Sequence, residues 1–171
     1  MKRKLIISGH SNGLGRALAE YYLRRGDEVL GLSRRRVAVE PSEKLQQHII
    51  DLSDSAAVAA LFSDGLIADF MHAADEVVLI NNAGTVQPSA MLGRQNDAEI
   101  ITSAALNITA PLLLANEVCR QKPANAVLKI VHISSGAGRN AYPGWSVYGA
   151  GKAALDHHAR CVAAEQLSGV R

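Results

Sequence analysis

The stretch Leu5-Ile6-Ile7-Ser8-Gly9-His10-Ser11-Asn12-Gly13-Leu14-Gly15-Arg16-Ala17 constrains the fold more than any other part of the chain. A short apolar run stops at a glycine, and Gly9, Gly13 and Gly15 follow the pattern G-x-x-x-G-x-G. An amphipathic segment starts at once, with Leu14, Ala17, Leu18, Tyr21 and Tyr22 spaced as one face of a helix. The reading is a strand, a glycine turn and a helix N-terminus. That end of a helix presents unpaired N–H groups and a partial positive charge, which suits a pyrophosphate. Glycines let the backbone turn sharply and let phosphates come close. Without the flanking strand and helix the same glycines would read as an ordinary turn.

Downstream, strands and helices alternate. Glu28–Leu32 reads as a second strand, followed by Ser33-Arg34-Arg35-Arg36. That basic cluster is either a solvated loop or a phosphate contact. In a doubly wound sheet the residue after the second strand meets the adenosine ribose, where an Arg can pair with a 2′-phosphate. No acidic residue stands at 33 or 34 to bind a free 2′-OH. Gln47–Leu52 reads as a third strand containing Asp51, with Ser53 or Asp54 capping the helix that carries Val58, Leu61 and Phe62. Val77–Ile80 is continuously apolar, as a central parallel strand should be, and Asn81-Asn82-Ala83-Gly84 closes it. A long helix is expected over 97–119, kinked by Pro111 or short of one hydrogen bond there. Residues 126–133 read as a fifth strand, 134–146 as a glycine-containing loop, and 147–167 as a last helix. The expectation is one α/β domain over residues 1–171, a doubly wound, mostly parallel sheet with helices on both faces.

Tyr148 and Lys152 lie four apart on the last predicted helix and so share a face. A phenol ionises near pH 10 and is a poor acid or base at neutrality. An ammonium held beside it favours the phenolate, and the pair can then move a proton to or from an alcohol or ketone oxygen. Tyr and Lys at this spacing are common on helices. The loop before them adds a hydroxyl: Ser135, thirteen residues before Tyr148, follows a buried strand at the edge where sites form in such sheets.

Together these motifs resemble the short-chain dehydrogenase/reductase family over the whole chain. The glycine motif, N-N-A-G, a helix asparagine, a serine and Y-x-x-x-K occur in the family's order and spacing. The resemblance implies a Rossmann fold and an NAD(P)-dependent oxidoreductase acting on a small carbonyl or alcohol substrate. It implies that Gly9, Ser11, Asn12, Gly13, Leu14 and Gly15 line the pyrophosphate. Asp51, with Leu52 beside it, would hold the adenine amino group. Asn81, Ala83 and Gly84 would line the adenosine and ribose side. Asn107 would hold a water relay to the lysine, Ser135 would orient the substrate oxygen, Tyr148 would exchange the proton, and Lys152 would grip the nicotinamide ribose. Ser33 and Arg34 look like the pattern that prefers NADP, NAD remaining possible. Asn12 departs from it, standing where NADP enzymes of the family often carry a second basic residue. The segments around Ser134–Gly138 and Pro143–Tyr148 are most similar to the sepiapterin and benzil reductase branch.

Members of the family usually continue into a sixth strand, a substrate-covering segment and a seventh strand. The resemblance here stops at Gly169-Val170-Arg171, which implies five strands, an exposed edge at strand five and a nicotinamide end open to water. A catalytically impaired nucleotide-binding or interaction protein that keeps the fold is the rival reading. The family also pairs its two long helices with their copies in a partner. Ala104, Ala105 and Ala115 on one helix and Ala153, Ala154, Ala163 and Ala164 on the other give small faces for a homodimer through 97–119 and 147–167.

Other features carry less. A net charge of +2 gives no argument for a nucleic-acid partner. The apolar run after Met1-Lys2-Arg3-Lys4 is too short for a signal peptide, and no window reaches the roughly 18 apolar residues of a membrane helix, so a cytoplasmic location without a membrane partner is expected. Cys119 and Cys161 read as buried, reduced thiols, and no metal site is expected. His10 reads as a solvated side chain of the glycine loop, and His157 and His158 as the exposed or interface side of the last helix. Trp145 is either a loop anchor or a wall for substrate.

Overall fold

The computed structural model describes residues 1–39 and 43–171. The elements are β1 (Arg3–Ser8), α1 (Gly13–Arg24), β2 (Glu28–Ser33), β3 (Leu45–Ile49), α2 (Ser55–Ser63), α3 (Leu66–Met71), β4 (Glu76–Asn81), α4 (Asp97–Ala104), α5 (Ala110–Gln121), β5 (Val127–His132) and α6 (Ser146–Ala164). Five parallel strands form one sheet in the order β3-β2-β1-β4-β5. The order reverses beside β1, so the carboxyl ends of β1 and β4 flank the crevice where ligands of such sheets bind.

Side chains of a strand alternate between faces, and the two cores follow that period. On one face Leu5, Ile7, Val29, Val78 and Ile80 pack with Ala19 and Leu23 of α1. On the other, Ile6, Leu30, Val77, Leu79 and Leu128 pack with α2, α3 and α5 through Val58, Phe62, Ile67, Met71, Leu114 and Val118. Helices therefore cover both faces. Each fully buried Leu or Ile stabilises the fold by about 1.5–3 kcal/mol relative to an exposed one.

Several elements differ from their sequence reading. The inward face of α1 is Gly15, Ala19 and Leu23, while Leu14 and Tyr21 are half exposed. Leu18 and Tyr22 only flank that face. Gly15 goes inward because α1 starts against the glycine turn, where a side chain has no room. β3 ends at Ile49, so Asp51 lies past the strand rather than in it. Asp54, not Ser53, caps α2, accepting from the N–H groups of Ala56 and Ala57.

The helix expected over 97–119 is divided. Ala105–Thr109 is a π-helical turn, and the Ala110 N–H reaches back five residues to the Ala105 carbonyl. Pro111 then falls in the first turn of α5. Proline has no N–H to give the preceding turn, and one wider turn accommodates it there. The combined run Asp97–Gln121 is long and apolar enough to cross a membrane by length and composition, where the sequence pointed to no such segment. Here its inward residues Leu114, Ala115 and Val118 pack under the sheet. Ala115 therefore belongs to the core and not to a helix-pairing face.

Past α6 the chain returns to β5. Leu128 N–H donates to the Gly169 carbonyl at 2.7 Å, Arg171 N–H to the Leu128 carbonyl at 2.9 Å, and Ile130 N–H to the Arg171 carbonyl at 3.0 Å. Leu128 thus bridges Val170 in parallel, and the edge of β5 is partly covered over Leu128–Ile130 rather than open. Both cysteines are free thiols, but Cys161 is exposed and Cys119 half-buried, against the expectation of burial.

Candidate functional site

A cleft of about 670 Å³ opens at the carboxyl ends of β1, β2 and β4. Gly9, Ser11, Asn12, Gly13 and Leu14 line one wall, Ser33, Arg34 and Arg35 a second, and Asp51, Leu52 and Ser53 a third. Asn82, Ala83, Gly84 and Thr85 form its floor toward α4.

The glycine wall is close-packed. Gly9 has φ +73°, and a Cβ on Gly15 would stand 2.3 Å from the Gly9 carbonyl oxygen. Only glycine fits where α1 begins that close to the turn. Asn82 holds the turn from below: its Nδ2 donates to the carbonyls of Ser8 at 3.0 Å and Gly9 at 3.2 Å. The Ser8 hydroxyl oxygen accepts from the N–H groups of Asn82 and Ala83 at 2.9 and 3.0 Å. The asparagine doublet is thus split between the core and the cleft. Asn81 is the last residue of β4 and is buried away from the cleft, donating to the Pro111 carbonyl and contacting His132. Asn82, one residue past the strand, is the one that lines it. Strand alternation across β4 was the signal that could have separated the two.

At the second wall, Ser33 is buried and its hydroxyl donates to the Arg35 carbonyl at 2.7 Å. That contact shapes the turn that exposes Arg34 and Arg35 to the cleft; Arg35 is an addition to the expected set. At the third, the Asp51 carboxylate accepts from the Ser53 hydroxyl at 2.7 Å and its N–H at 2.9 Å. These bonds, with a smaller attraction from Arg34, hold its pKa below the usual carboxylate value.

Asn107, Ser135, Tyr148 and Lys152 stand past Gly84, outside the lining of this cavity. A Cβ on Gly84 would lie 2.9 Å from Asn107 Oδ1 and 3.5 Å from Lys152 Nζ, so three elements converge there. Asn107 sits in the π-helical turn and is almost wholly buried. Its Oδ1 accepts from the Thr85 N–H at 2.9 Å, and its Nδ2 donates to the Thr85 carbonyl at 2.8 Å and the Ser103 hydroxyl at 3.0 Å. Lys152 is 4% exposed; its Nζ donates to the Ile133 carbonyl at 2.7 Å and lies 5.7 Å from the centre of the Tyr148 ring. Burial pushes the Lys152 ammonium below its ordinary pKa, with Asp156 opposing. Ser135 caps a single 3₁₀ turn, accepting from the Ala137 N–H at 3.2 Å. That turn packs on α6: a Cβ on Gly149 would stand 2.9 Å from the Ala137 carbonyl, and one on Gly138 would stand 3.0 Å from the Lys152 backbone.

Trp145 is both anchored and exposed. Its indole N–H donates to the Ser89 hydroxyl at 3.1 Å, and its ring meets Tyr148 edge-on at 5.7 Å and Tyr142 at 5.6 Å. His158 does not face outward alone: its Nδ1 lies 3.1 Å from Nε2 of His132, whereas His157 is exposed. His10 is fully buried, contrary to its expected solvation.

Residues 3–171 match the family profile described as short chain dehydrogenase. A benzil reductase ((S)-benzoin forming) of Bacillus subtilis (strain 168) is 38% identical over 162 residues, covering 94% of this chain and 66% of that protein. The chain thus spans about two thirds of the length of that curated relative. A crystal structure of a short-chain dehydrogenase/reductase from Burkholderia vietnamiensis superposes with a TM-score of 0.95 at 44% identity, covering 99% of this chain and 80% of that one. A metagenomic short-chain oxidoreductase in complex with NADP superposes with a TM-score of 0.86 at 29% identity, over 99% and 78% of the two chains. The chain belongs to the short-chain dehydrogenase family.

Proposed function

We propose that this chain holds the cofactor-binding and proton-transfer residues of an NADPH-dependent reductase of ketones or aldehydes, aromatic diketones foremost. One juxtaposition carries the reading. Lys152 and Asn107 converge on Gly84, with the Tyr148 ring beside the lysine, at the end of a glycine-walled cleft that faces two arginines.

The cleft suits a dinucleotide phosphate. The N-terminus of α1 opens into it, and the space a Cβ would fill at Gly15 is already taken by backbone, so the turn has one shape. Gly9, Gly13 and Leu14 would face the pyrophosphate, Asp51 the adenine, and Arg34 with Arg35 a 2′-phosphate. The preference for NADPH rests on those arginines and not on the relatives. A bound nicotinamide supplies hydride to a carbonyl carbon. Tyr148 donates the proton that the carbonyl oxygen needs, through its hydroxyl. Lys152, fixed by the Ile133 carbonyl, sits where its positive charge favours the phenolate left behind. The Ser135 hydroxyl keeps its proton free to donate to the substrate oxygen, since its oxygen is only an acceptor for Ala137. Asn107 spends its side chain on Thr85 and Ser103, which holds the π-helical turn against Gly84.

The exposed rings of Tyr142 and Trp145 next to Tyr148 favour an aromatic substrate. The Bacillus subtilis relative is named for benzil, an aromatic diketone. The test is NADPH oxidation against a panel of aromatic diketones and aliphatic aldehydes. Turnover that is fastest with the diketones supports the reading; tight NADPH binding with no turnover of any carbonyl favours the rival nucleotide-binding protein. The same reading includes a homodimer through α4–α5 and α6, where Ala163 and Ala164 are exposed and Ala104, Ala105, Ala153 and Ala154 half-buried. A monomer by light scattering at micromolar concentration refutes that part.

A further inference from the structure

His10 occupies an unusual place for a residue of a phosphate-facing turn. Its imidazole is fully buried and lies on the backbone of Gly31, where a Cβ would stand 2.3 Å from its Cγ. Gly31 pairs in register with Gln47 of β3, and His10 Nε2 meets Gln47 Oε1 at 2.8 Å. Gln47 does not end there. Its Oε1 accepts from the Val37 N–H at 2.8 Å, and its Nε2 donates to the Val37 carbonyl at 3.0 Å. The glutamine amide pairs with Val37 as one peptide pairs with another.

That two-point pairing settles the protons. It orients the Gln47 amide with its oxygen toward His10, so His10 Nε2 carries hydrogen and donates. Nδ1 is then a bare acceptor, buried and without a partner among the described residues. An unpaired buried acceptor is unfavourable and is retained here alongside a glycine in a central strand, two local sacrifices around one ring. They serve a connection. His10 belongs to the glycine turn, and Val37 to the segment that displays Arg34 and Arg35 to the cleft. Among the described residues the segment is tied to the sheet at two points, at its start by the Ser33 hydroxyl on the Arg35 carbonyl and farther along by Gln47 on Val37, while Arg16 Nη2 reaches the Ala38 carbonyl only at 3.5 Å.

We propose that His10 and Gln47 are positioning residues for cofactor selectivity: together they lock the arginine-bearing segment to the glycine turn, so that the 2′-phosphate site is preformed. This rests on the reading of Arg34 and Arg35 as the 2′-phosphate contacts. Neither residue is among those lining the cleft; both act on the arginines through Val37. The chemistry recognised is a ribose 2′-phosphomonoester, and the binding advantage comes from ordering the arginines before the ligand arrives.

The experiment measures dissociation constants for NADPH and NADH by calorimetry in the wild type, Gln47→Leu, His10→Phe and Arg34→Ala. Gln47→Leu and His10→Phe should each lower the NADPH-over-NADH preference about tenfold while NADH binding stays within about twofold. General damage to the fold would weaken both cofactors alike. A second readout is tryptic cleavage after Arg34, Arg35 and Arg36, timed by mass spectrometry: both variants should be cut faster there than the wild type, at unchanged rates elsewhere. Gln47→Glu covers the case in which His10→Phe does not fold. It keeps the acceptor for His10 and for the Val37 N–H, loses the bond to the Val37 carbonyl, and should show an intermediate loss of preference. If Arg34→Ala collapses the preference while the Gln47 and His10 variants keep it and their cleavage rates, the coupling is wrong and the arginine reading stands. If the wild type prefers neither cofactor, both fall.

Discussion

The two ends of the cleft are held in different ways. At the adenosine end, side chains bind backbone across elements: Asn82 the glycine turn, Ser8 the loop after β4, Gln47 the segment after β2. At the reaction end the polar groups are equally fixed, Lys152 by the Ile133 carbonyl and Asn107 by Thr85 and Ser103. The rings around them are not covered. Tyr142 is 49% and Trp145 36% exposed, and Met91 and Leu92 more so. One end is a preformed mould and the other a rigid set of polar groups beneath an uncovered apolar rim. Under the proposed function, preorganisation of that kind would place binding energy at the adenosine end and leave discrimination between substrates to the rim.

If that division holds, chemistry and cofactor binding separate cleanly. The largest effect is expected from Tyr148→Phe, which keeps the ring against Trp145 and removes the proton. Turnover of an aromatic diketone should fall by about 10²–10⁴-fold, with NADPH affinity unchanged by calorimetry. An equal loss of affinity would show that the two ends are coupled. Arg34→Ala acts at the opposite end. It should weaken NADPH by roughly ten- to a hundredfold and leave NADH nearly untouched, because a charge-assisted phosphate contact is worth about 1.5–3 kcal/mol. Equal losses for the two cofactors would remove the 2′-phosphate assignment.

Gly15→Ala tests the mould directly. The new methyl group would press on the Gly9 carbonyl at 2.3 Å, which backbone cannot easily yield. A loss of about 1–3 kcal/mol in stability is expected, with weaker binding of both cofactors, measured by urea unfolding and calorimetry. Stability near that of the wild type would mean that the turn is more pliable than its packing indicates.

The smallest effect concerns the far side of the reaction end. Burial holds His132 neutral, with repulsion from His158 and Lys152 adding and Asp156 opposing, and its pKa falls from 6.5 to about 4. The unfolded chain takes that proton near pH 6.5 while the folded chain does not. Between about 6.5 and 4 the unfolded state therefore binds more protons, so stability is full above this window and is lost as pH falls through it. Allowing for solvent screening, the loss is about 1–2 kcal/mol. Urea unfolding at pH 7.5 and pH 5 should show it in the wild type and a smaller difference in His132→Gln. The same slope in both proteins would assign the pH dependence elsewhere.

What was legible in the chain was local. The glycine spacing after Leu5–Ile7 and the i, i+4 pair of Tyr148 and Lys152 need only a strand, a turn and a helix to have meaning, and both stand as read in position. Pro111 announced a break in its helix, but not that the break would be a π turn carrying Asn107. Five apolar residues at helical spacing predict α1, yet Leu18 and Tyr22 only flank its inward face, since the contact that selects Gly15, Ala19 and Leu23 comes from the turn and sheet outside the helix. Asn81 and Asn82 are indistinguishable by composition; strand β4 assigns one to the core and the other to the cleft.

His10 marks the boundary most sharply. Sequence alone determined that this chain alternates strands and helices, that a glycine turn opens its first helix, and that a tyrosine and a lysine share one helical face, because those properties depend on neighbours a few residues apart. Tertiary structure decided that His10 lies on Gly31 and that Gln47 joins it to Val37, through residues 21 and 37 positions from His10 on adjoining strands. No local pattern encodes that meeting, because strand pairing, not spacing along the chain, brings those atoms within hydrogen-bonding distance.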